Sequence, residues 1–155
     1  MTLSPGDKAP EFDLPIDGGE SLSLKSLKGK AVVLYFYPKD STPGCTTEAK
    51  DFRDLHDQFQ KAGCTIVGAS KDSVKRHDNF IAKNDLPFHL LSDEEGTLCD
   101  AYGVWVQKKL YGREYMGISR DTFIIGPDGT IKWLKRKVKV KGHAQEVLDA
   151  VKALG

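Results

Sequence analysis

The sequence has few cysteines, no long apolar run and almost no net charge. Its three cysteines, at positions 45, 64 and 99, are an odd number without the spacing of a disulfide framework. No run approaches the ~20 apolar residues that a membrane-spanning helix needs. The formal net charge of +1 provides no general attraction to nucleic acid or to an anionic membrane. We therefore expect a soluble protein of the reducing cytoplasm that binds neither nucleic acid nor membrane.

Several motifs are missing as well. Neither G-x-x-x-x-G-K-[ST] nor G-x-G-x-x-G occurs, so no nucleotide cofactor is expected. The three cysteines and four histidines show no paired-ligand spacing, and we predict no metal site. The N-terminus has neither the basic start nor the apolar stretch of a secretory signal, so we expect none. Lysine-rich residues 135–141 alternate as in a strand with a solvated lysine face, which favours a protected sheet edge over a nucleic-acid patch.

What is present is an alternation of strands and helices of ordinary composition. A chain of 155 residues with 39% hydrophobic residues can bury a proper core, and we assign residues 1–155 to a single domain. Residues 104–117 show no clear period and are predicted to form a surface loop. The remaining elements, predicted from apolar period and turn residues, are a hairpin of 12–14 with 21–24, strands at 31–37, 64–69, 88–91, 122–125 and 130–134, and helices at 43–62, 73–83, 93–102 and 143–154. This order is that of an α/β thioredoxin-like fold with an N-terminal β-hairpin and an inserted helix.

The chemistry centres on the turn between the first long strand and the first helix. Thr42 is a plausible N-cap and Pro43 stands at the first helical position. Cys45 therefore falls in the first helical turn, where free N–H groups and the helix dipole stabilise a thiolate. Position alone leaves open that Cys45 has no role, since cysteines also start helices without one.

The pattern Pro38-x-x-x-Thr42-x-x-Cys45, followed by Glu48, resembles the active-site signature of the peroxiredoxins. Residues 35–39 (YFYPK) and 42–46 (TPGCT) are most similar to the bacterioferritin-comigratory-protein, or peroxiredoxin Q, branch. Further matches lie at residues 6–12 (GDKAPEF), 90–93 (LLSD) and 119–123 (SRDTF). Several separate motifs in the same order cover nearly the whole chain.

The resemblance implies a peroxidase in which the Cys45 thiolate attacks hydrogen peroxide or an organic hydroperoxide and becomes a sulfenic acid. It implies that Thr42 bonds the peroxide and the sulfur, with first-turn N–H groups near Gly44 donating to the substrate. Pro38 would shield the sulfur from water. Arg120 matches the catalytic arginine of the family, although an isolated arginine is more often a surface residue. Glu48 would orient Arg120, or simply complement the helix dipole.

The step after sulfenic acid formation stays open. Many relatives carry a second cysteine five residues after the first, where this chain has Lys50, and others carry one in the next helix, where this chain has none. Cys64 and Cys99 are possible resolving residues, although each is simply explained as a buried small side chain. We favour a one-cysteine route in which thioredoxin, glutathione or glutaredoxin reduces Cys45 directly, with an internal disulfide to Cys99 or Cys64 as the alternative. The resemblance also suggests a monomer or weak dimer.

Two other classes share the predicted fold. A thioredoxin-like thiol–disulfide oxidoreductase needs Cys-x-x-Cys, and the residue three after Cys45 is Glu48. A non-catalytic interaction module would leave Cys45 a spectator. Rapid oxidation of a thiol by stoichiometric peroxide distinguishes the peroxidase from both.

Overall fold

The computed structural model describes residues 2–154 as a five-stranded sheet with helices on both faces. The strands are β1 (Asp13–Pro15), β2 (Ser21–Ser23), β3 (Ala31–Phe36), β4 (Cys64–Ser70), β5 (His89–Ser92), β6 (Trp105–Leu110), β7 (Arg113–Ile118), β8 (Thr122–Ile125) and β9 (Ile131–Lys135). The helices are α1 (Pro43–Asp54), α2 (His56–Lys61), α3 (Val74–Asn84), α4 (Thr97–Ala101) and α5 (His143–Leu154).

The central sheet has the strand order β5-β4-β3-β8-β9. The three strands β3, β4 and β5 are parallel, β8 pairs antiparallel with β3, and β9 pairs antiparallel with β8. The carboxyl ends of β3, β4 and β5 therefore lie at the same end of the sheet, where the connection to α1 begins. This is the thioredoxin-like α/β arrangement that the sequence predicts.

Alternate residues of β3 face two separate apolar clusters. Val32, Leu34 and Phe36 belong to one cluster, which also contains Cys99. Val33 and Tyr35 belong to the other, which contains Cys45 and Cys64. Because side chains alternate across a strand, the two clusters lie on opposite faces of the sheet. Cys99 is therefore on the other side of the sheet from Cys45.

The predicted N-terminal hairpin and the strands predicted at 122–125 and 130–134 are confirmed. Strands β1 and β2 pair antiparallel, and the bridge from Ile16 to Leu91 places this hairpin against the edge strand β5. Strands β8 and β9 pair antiparallel on either side of the turn at residues 126–129. Among the described residues, no helix combines the length and apolarity needed to cross a membrane.

The helix predicted over residues 43–62 is wrong as a single element. It divides at Leu55, whose backbone has φ −102° and ψ 3°. The Leu55 N–H bonds the Phe52 carbonyl, three residues back, so the chain tightens before α2 begins. Distances along this segment therefore do not follow those of one straight helix.

The surface loop predicted over residues 104–117 is also wrong. Strands β6 and β7 form a two-stranded antiparallel sheet, joined through Tyr111 and Gly112, which both have positive φ. This is the backbone that a two-residue hairpin turn requires. Most of its side chains are exposed or half-buried, so the apolar alternation that marks a half-buried strand is absent.

Two further boundaries differ from the prediction. The helix expected over 93–102 begins only at Thr97, because Asp93 accepts hydrogen bonds from the N–H groups of Leu98 and Cys99 and so caps it from outside. The strand expected over 135–141 ends at Lys135. Lys137 then adopts φ +53°, a left-handed backbone that breaks the strand.

Candidate active site

Cys45 lies in the first turn of α1 with only 2% of its surface exposed. The buried run of β3 delivers the chain to the sheet edge, and Pro43 starts the helix two residues before Cys45. The first intrahelical bond runs from Thr46 N–H to the Thr42 carbonyl. The N–H groups of Gly44 and Cys45 precede that bond, so they point outward from the positive end of the helix.

Arg120 reaches Cys45 from the connection between β7 and β8. Its Nη2 lies 3.5 Å from the Cys45 Sγ, and its Nη1 donates to Glu48 Oε1 at 2.6 Å. An added Cβ on Gly44 would stand 3.3 Å from Arg120 Nη2, so the missing side chain of Gly44 lets the guanidinium approach. The structure thus brings together four residues that lie up to 76 positions apart in the sequence.

Glu48 is a buried carboxylate, with 1% of its side chain exposed. Burial raises the pKa of Glu48 to about 7, and the neighbouring Arg120 acts in the opposite direction. Only Oε1 bonds Arg120, whereas Oε2 and the hydroxyl of Tyr35 are buried polar atoms without a hydrogen-bond partner. The bond from Nη1 to Glu48 fixes the orientation of the guanidinium, so that Nη2 lies toward the sulfur.

Thr42 occupies the N-cap position, but its side chain makes no capping bond. Its hydroxyl instead donates to the carbonyl of Lys39 at 2.8 Å, so its proton bonds a backbone oxygen. Pro38 is half-buried at the start of the same loop. The roles expected of Thr42 and Pro38 toward the peroxide and the sulfur stay predictions.

Neither of the other cysteines lies beside Cys45, and all three, each within residues 2–154, are free thiols. Cys64 pairs with Ala31 at the start of β4. Cys45 follows the far end of β3, about 16 Å along the sheet at ~3.3 Å per residue. Burial raises the pKa of Cys64 to about 12. Burial, with Asp93 beside it, also raises the pKa of the Cys99 thiol, which packs against the opposite face of the sheet.

Sequence reasoning missed the buried carboxylate that holds the Arg120 segment. Asp121 accepts hydrogen bonds from Ser119 Oγ at 2.5 Å, Lys137 N–H at 3.0 Å and Arg136 Nη1 at 2.7 Å. The Val138 N–H also bonds the Arg120 carbonyl. No sequence pattern reveals these contacts, because they join the connection after β7 to residues beyond β9.

A second missed cluster lies beside the loop that leads to Cys45. Asp40, Asp72 and His77 place ligand-type atoms within 4.8 Å of one another. Each of these side chains already bonds protein groups, which makes the cluster a hydrogen-bonded network within the protein.

Comparison with known proteins identifies the class. Residues 5–134 match the AhpC/TSA family. A putative peroxiredoxin Bcp of Coxiella burnetii is 55% identical over 96% of this chain and 98% of that protein, and peroxiredoxin Bcp of Bacillus subtilis is 51% identical over 98% and 97%. The chain therefore belongs to the AhpC/TSA family.

A solved structure narrows the class further. Xanthomonas campestris bacterioferritin comigratory protein, described for its alkyl peroxide reduction activity, is 46% identical, with a TM-score of 0.91 over 97% of this chain and 99% of that chain. Peroxiredoxin Q of the same organism is 50% identical, with a TM-score of 0.88 over 92% and 90%. The predicted resemblance to the peroxiredoxin Q branch is confirmed, and this chain is a thiol-dependent peroxidase.

Proposed function

We propose that Cys45 is the nucleophile that reduces the peroxide. The observation that carries this proposal is the contact of 3.5 Å between the Arg120 guanidinium and a cysteine in the first turn of a helix. The thiolate attacks one peroxide oxygen, and the O–O bond breaks. The departing oxygen takes a proton and leaves as water or an alcohol, while Cys45 becomes a sulfenic acid.

The neighbouring residues stabilise charge as it moves from sulfur to the departing oxygen. Arg120 is a permanent cation that contacts the sulfur, and Glu48 holds it in place. The Thr42 hydroxyl, whose own proton goes to the Lys39 carbonyl, accepts a hydrogen bond from the peroxide. The first-turn N–H groups of Gly44 and Cys45 donate to it, and Pro38, which has no N–H, shields the sulfur from water.

The same proposal includes a one-cysteine route. A disulfide requires Cα atoms within about 7 Å, and Cys64 lies at the opposite end of the parallel strands from Cys45. Cys99 is separated from Cys45 by the sheet itself. An external thiol, from thioredoxin, glutathione or glutaredoxin, therefore attacks the sulfenic acid of Cys45 directly. The atypical two-cysteine route through Cys99 or Cys64 is the alternative that the experiment must exclude.

The experiment measures steady-state peroxidase activity of Cys45→Ser, Cys64→Ser and Cys99→Ser, once with a small thiol and once with a thioredoxin system. We expect activity to disappear in Cys45→Ser alone, with both other variants near wild type. Mass spectrometry after one equivalent of peroxide should show sulfenic acid, or a mixed disulfide when a small thiol is added. A thioredoxin-specific loss in Cys64→Ser or Cys99→Ser, with an internal disulfide in the oxidised wild type, contradicts the one-cysteine route.

The proposal also covers the location, domain organisation and oligomeric state of the enzyme. Three free thiols suit a reducing compartment, and we place the protein in the cytoplasm. Two apolar clusters that share one sheet support a single domain over residues 1–155. We propose a monomer or weak dimer that binds neither nucleic acid nor membrane. Gel filtration at micromolar concentration tests the oligomeric state.

A further inference from the structure

A buried polar network anchors the loop between β3 and Cys45. Asp40 lies in this loop, with 1% of its side chain exposed, and faces His77 of α3, with 0% exposed. Tyr37 Oη donates to Asp40 Oδ1 at 2.5 Å. The Asp40 N–H donates to Asp72 Oδ2 at 2.8 Å. We call Tyr37, Asp40, Asp72 and His77 the Asp40 network.

The contacts of His77 define its protonation. Its Nε2 lies 2.9 Å from the Leu91 carbonyl of β5, which can only accept, so Nε2 carries a proton. Its Nδ1 lies 2.6 Å from Asp40 Oδ2, the short distance typical of a charge-assisted bond. Burial lowers the pKa of His77, but the hydrogen bond and charge of Asp40 outweigh burial and the pKa is raised. With an acceptor facing each ring nitrogen, this is the geometry of a buried imidazolium bonded to a carboxylate.

The loop that this pair holds has an unfavourable backbone. Ser41, directly after Asp40, adopts φ +65°, a left-handed conformation that residues other than glycine rarely adopt. Such a conformation persists only where its surroundings enforce it. The next residue is Thr42, and Cys45 follows three residues later, so a shift of the loop at Asp40 moves the peroxide-binding groups relative to the sulfur.

We propose that Asp40 and His77 are positioning residues for the peroxidase reaction, holding the loop over residues 37–42 in the conformation in which Cys45 attacks peroxide. The inference rests on the proposed function of Cys45. Neither residue contacts the sulfur or the substrate. The bond between Asp40 and His77 connects the loop to α3, and His77 also bonds β5. The reactivity of Cys45 therefore depends on a contact with elements that lie outside the loop.

The first test compares second-order rate constants for oxidation by hydrogen peroxide in stopped flow. His77→Gln and Asp40→Asn should each slow the reaction by about tenfold or more, since misplacing reacting groups by about 1 Å can cost on the order of 10²-fold. The double variant should lose no more than the worse single variant, because both break one contact. His89→Gln is the matched control, since His89 is an exposed histidine whose ring bonds only Asp17, and it should stay within about twofold of wild type.

Tyr37→Phe is the milder variant to measure if His77→Gln or Asp40→Asn does not fold. It removes only the hydroxyl that donates to Asp40 and should slow oxidation by about threefold, as one net hydrogen bond does. A Cys45→Ser arm separates the two proposals. Residual peroxidase activity in Cys45→Ser overturns the proposed function itself, whereas an inactive Cys45→Ser with normal rates in His77→Gln and Asp40→Asn overturns only the positioning role.

The second test uses pH, which a merely structural contact would not report. The charged groups facing His77 are Asp40 from the loop and Asp72 before α3, and Arg76 reaches Asp72 at 2.8 Å. Because the His77 pKa is raised, the pair is intact at low pH and is lost as pH rises through that pKa. The wild-type rate should therefore fall on the alkaline side, and this fall should be absent in His77→Gln.

Nitrogen-15 NMR of the wild-type histidine rings provides the direct readout at pH 6, on the acid side of the raised His77 pKa. Both ring nitrogens of His77 should carry protons there. A neutral ring with a proton on Nε2 alone, or an alkaline limb that persists unchanged in His77→Gln, overturns the proposal.

Discussion

At the scale of single residues, the guanidinium of Arg120 contacts the sulfur of Cys45, the proposed nucleophile, at 3.5 Å. Arg120→Ala should slow oxidation of Cys45 by about 10²-fold, because a charge-assisted contact worth a few kcal/mol is lost. Arg120→Lys should restore only part of the rate, since an ammonium cannot contact both Cys45 and Glu48 as the planar fork does. Stopped-flow oxidation by hydrogen peroxide measures both.

Arg113 provides the control for this comparison. It is exposed at the start of β7, so Arg113→Ala should leave the rate within about twofold of wild type. An equal loss in both variants would show that general positive charge, and not the contact with the sulfur, sets the rate.

Glu48 makes stability depend on pH in a predictable direction. Its folded-state pKa is raised from 4.5 to about 7, so between these values the folded protein binds more protons than the unfolded chain. The free energy of unfolding from this group therefore falls as pH rises from 4.5 to 7, by on the order of 2–3 kcal/mol. Urea denaturation across this range should show the slope in the wild type and lose it in Glu48→Gln, while a difference between the two proteins that does not change with pH would be inconsistent with it.

At the scale of elements, the connection between β7 and β8 depends on Asp121. The carboxylate is 1% exposed and bonds Arg136, which is 26% exposed. Asp121→Asn should lower the free energy of unfolding by about 2 kcal/mol, because it removes the buried negative charge that Arg136 pairs with. It should also slow Cys45 oxidation by about threefold, since Arg120 shares this connection. Asp54→Asn, an exposed pair with its neighbour Arg53, should change stability by less than about 0.5 kcal/mol.

Elements were predictable where apolar residues form a continuous run or a regular stripe. The strand β3 follows from a continuous apolar run that ends at Pro38, the helix α5 follows from its apolar stripe, and both are observed. The β6–β7 hairpin was missed because solvent reaches most of its side chains, so no alternation marks it. The break at Leu55 was missed because the apolar stripe continues through Leu55 to Phe59, both of which pack on the same cluster.

The candidate site was predictable only in part, for a physical reason. Cys45 follows from the local turn between strand and helix. The contact between Arg120 and Cys45 spans 75 positions, and the resemblance to a family supplied it, because no local pattern can. Asp121 lies in the matched segment 119–123, but the resemblance assigned it no role, and Asp40, His77 and Arg136 lie outside the matched segments. Each of these four side chains bonds a partner that only the folded chain brings near.

At the scale of the whole molecule, Gly68 is a tight point in the sheet. A Cβ at this position would stand 2.7 Å from Leu90 Cδ2 and 3.0 Å from Tyr35 Cζ. Both neighbours are fully buried, so neither can move away freely. Gly68→Ala should lower the free energy of unfolding by about 1–3 kcal/mol through overpacking, measured by urea denaturation.

Gly117→Ala is the matched control for Gly68. Its nearest neighbour is the flexible Lys108 side chain, at 3.2 Å, which can give way. We expect a change of less than about 1 kcal/mol there. Equal losses at the two positions would mean that glycine flexibility, and not packing, determines the effect.

The sheet that separates Cys99 from Cys45 also bears on the working lifetime of the enzyme. On the proposed one-cysteine route no internal thiol intercepts the sulfenic acid, which then persists until a reductant arrives, and a second peroxide can convert it irreversibly to the sulfinic acid. The number of turnovers before inactivation should therefore rise with the ratio of thiol to peroxide. Such an enzyme would be consumed by its own substrate at a rate set by the concentration of thiol around it.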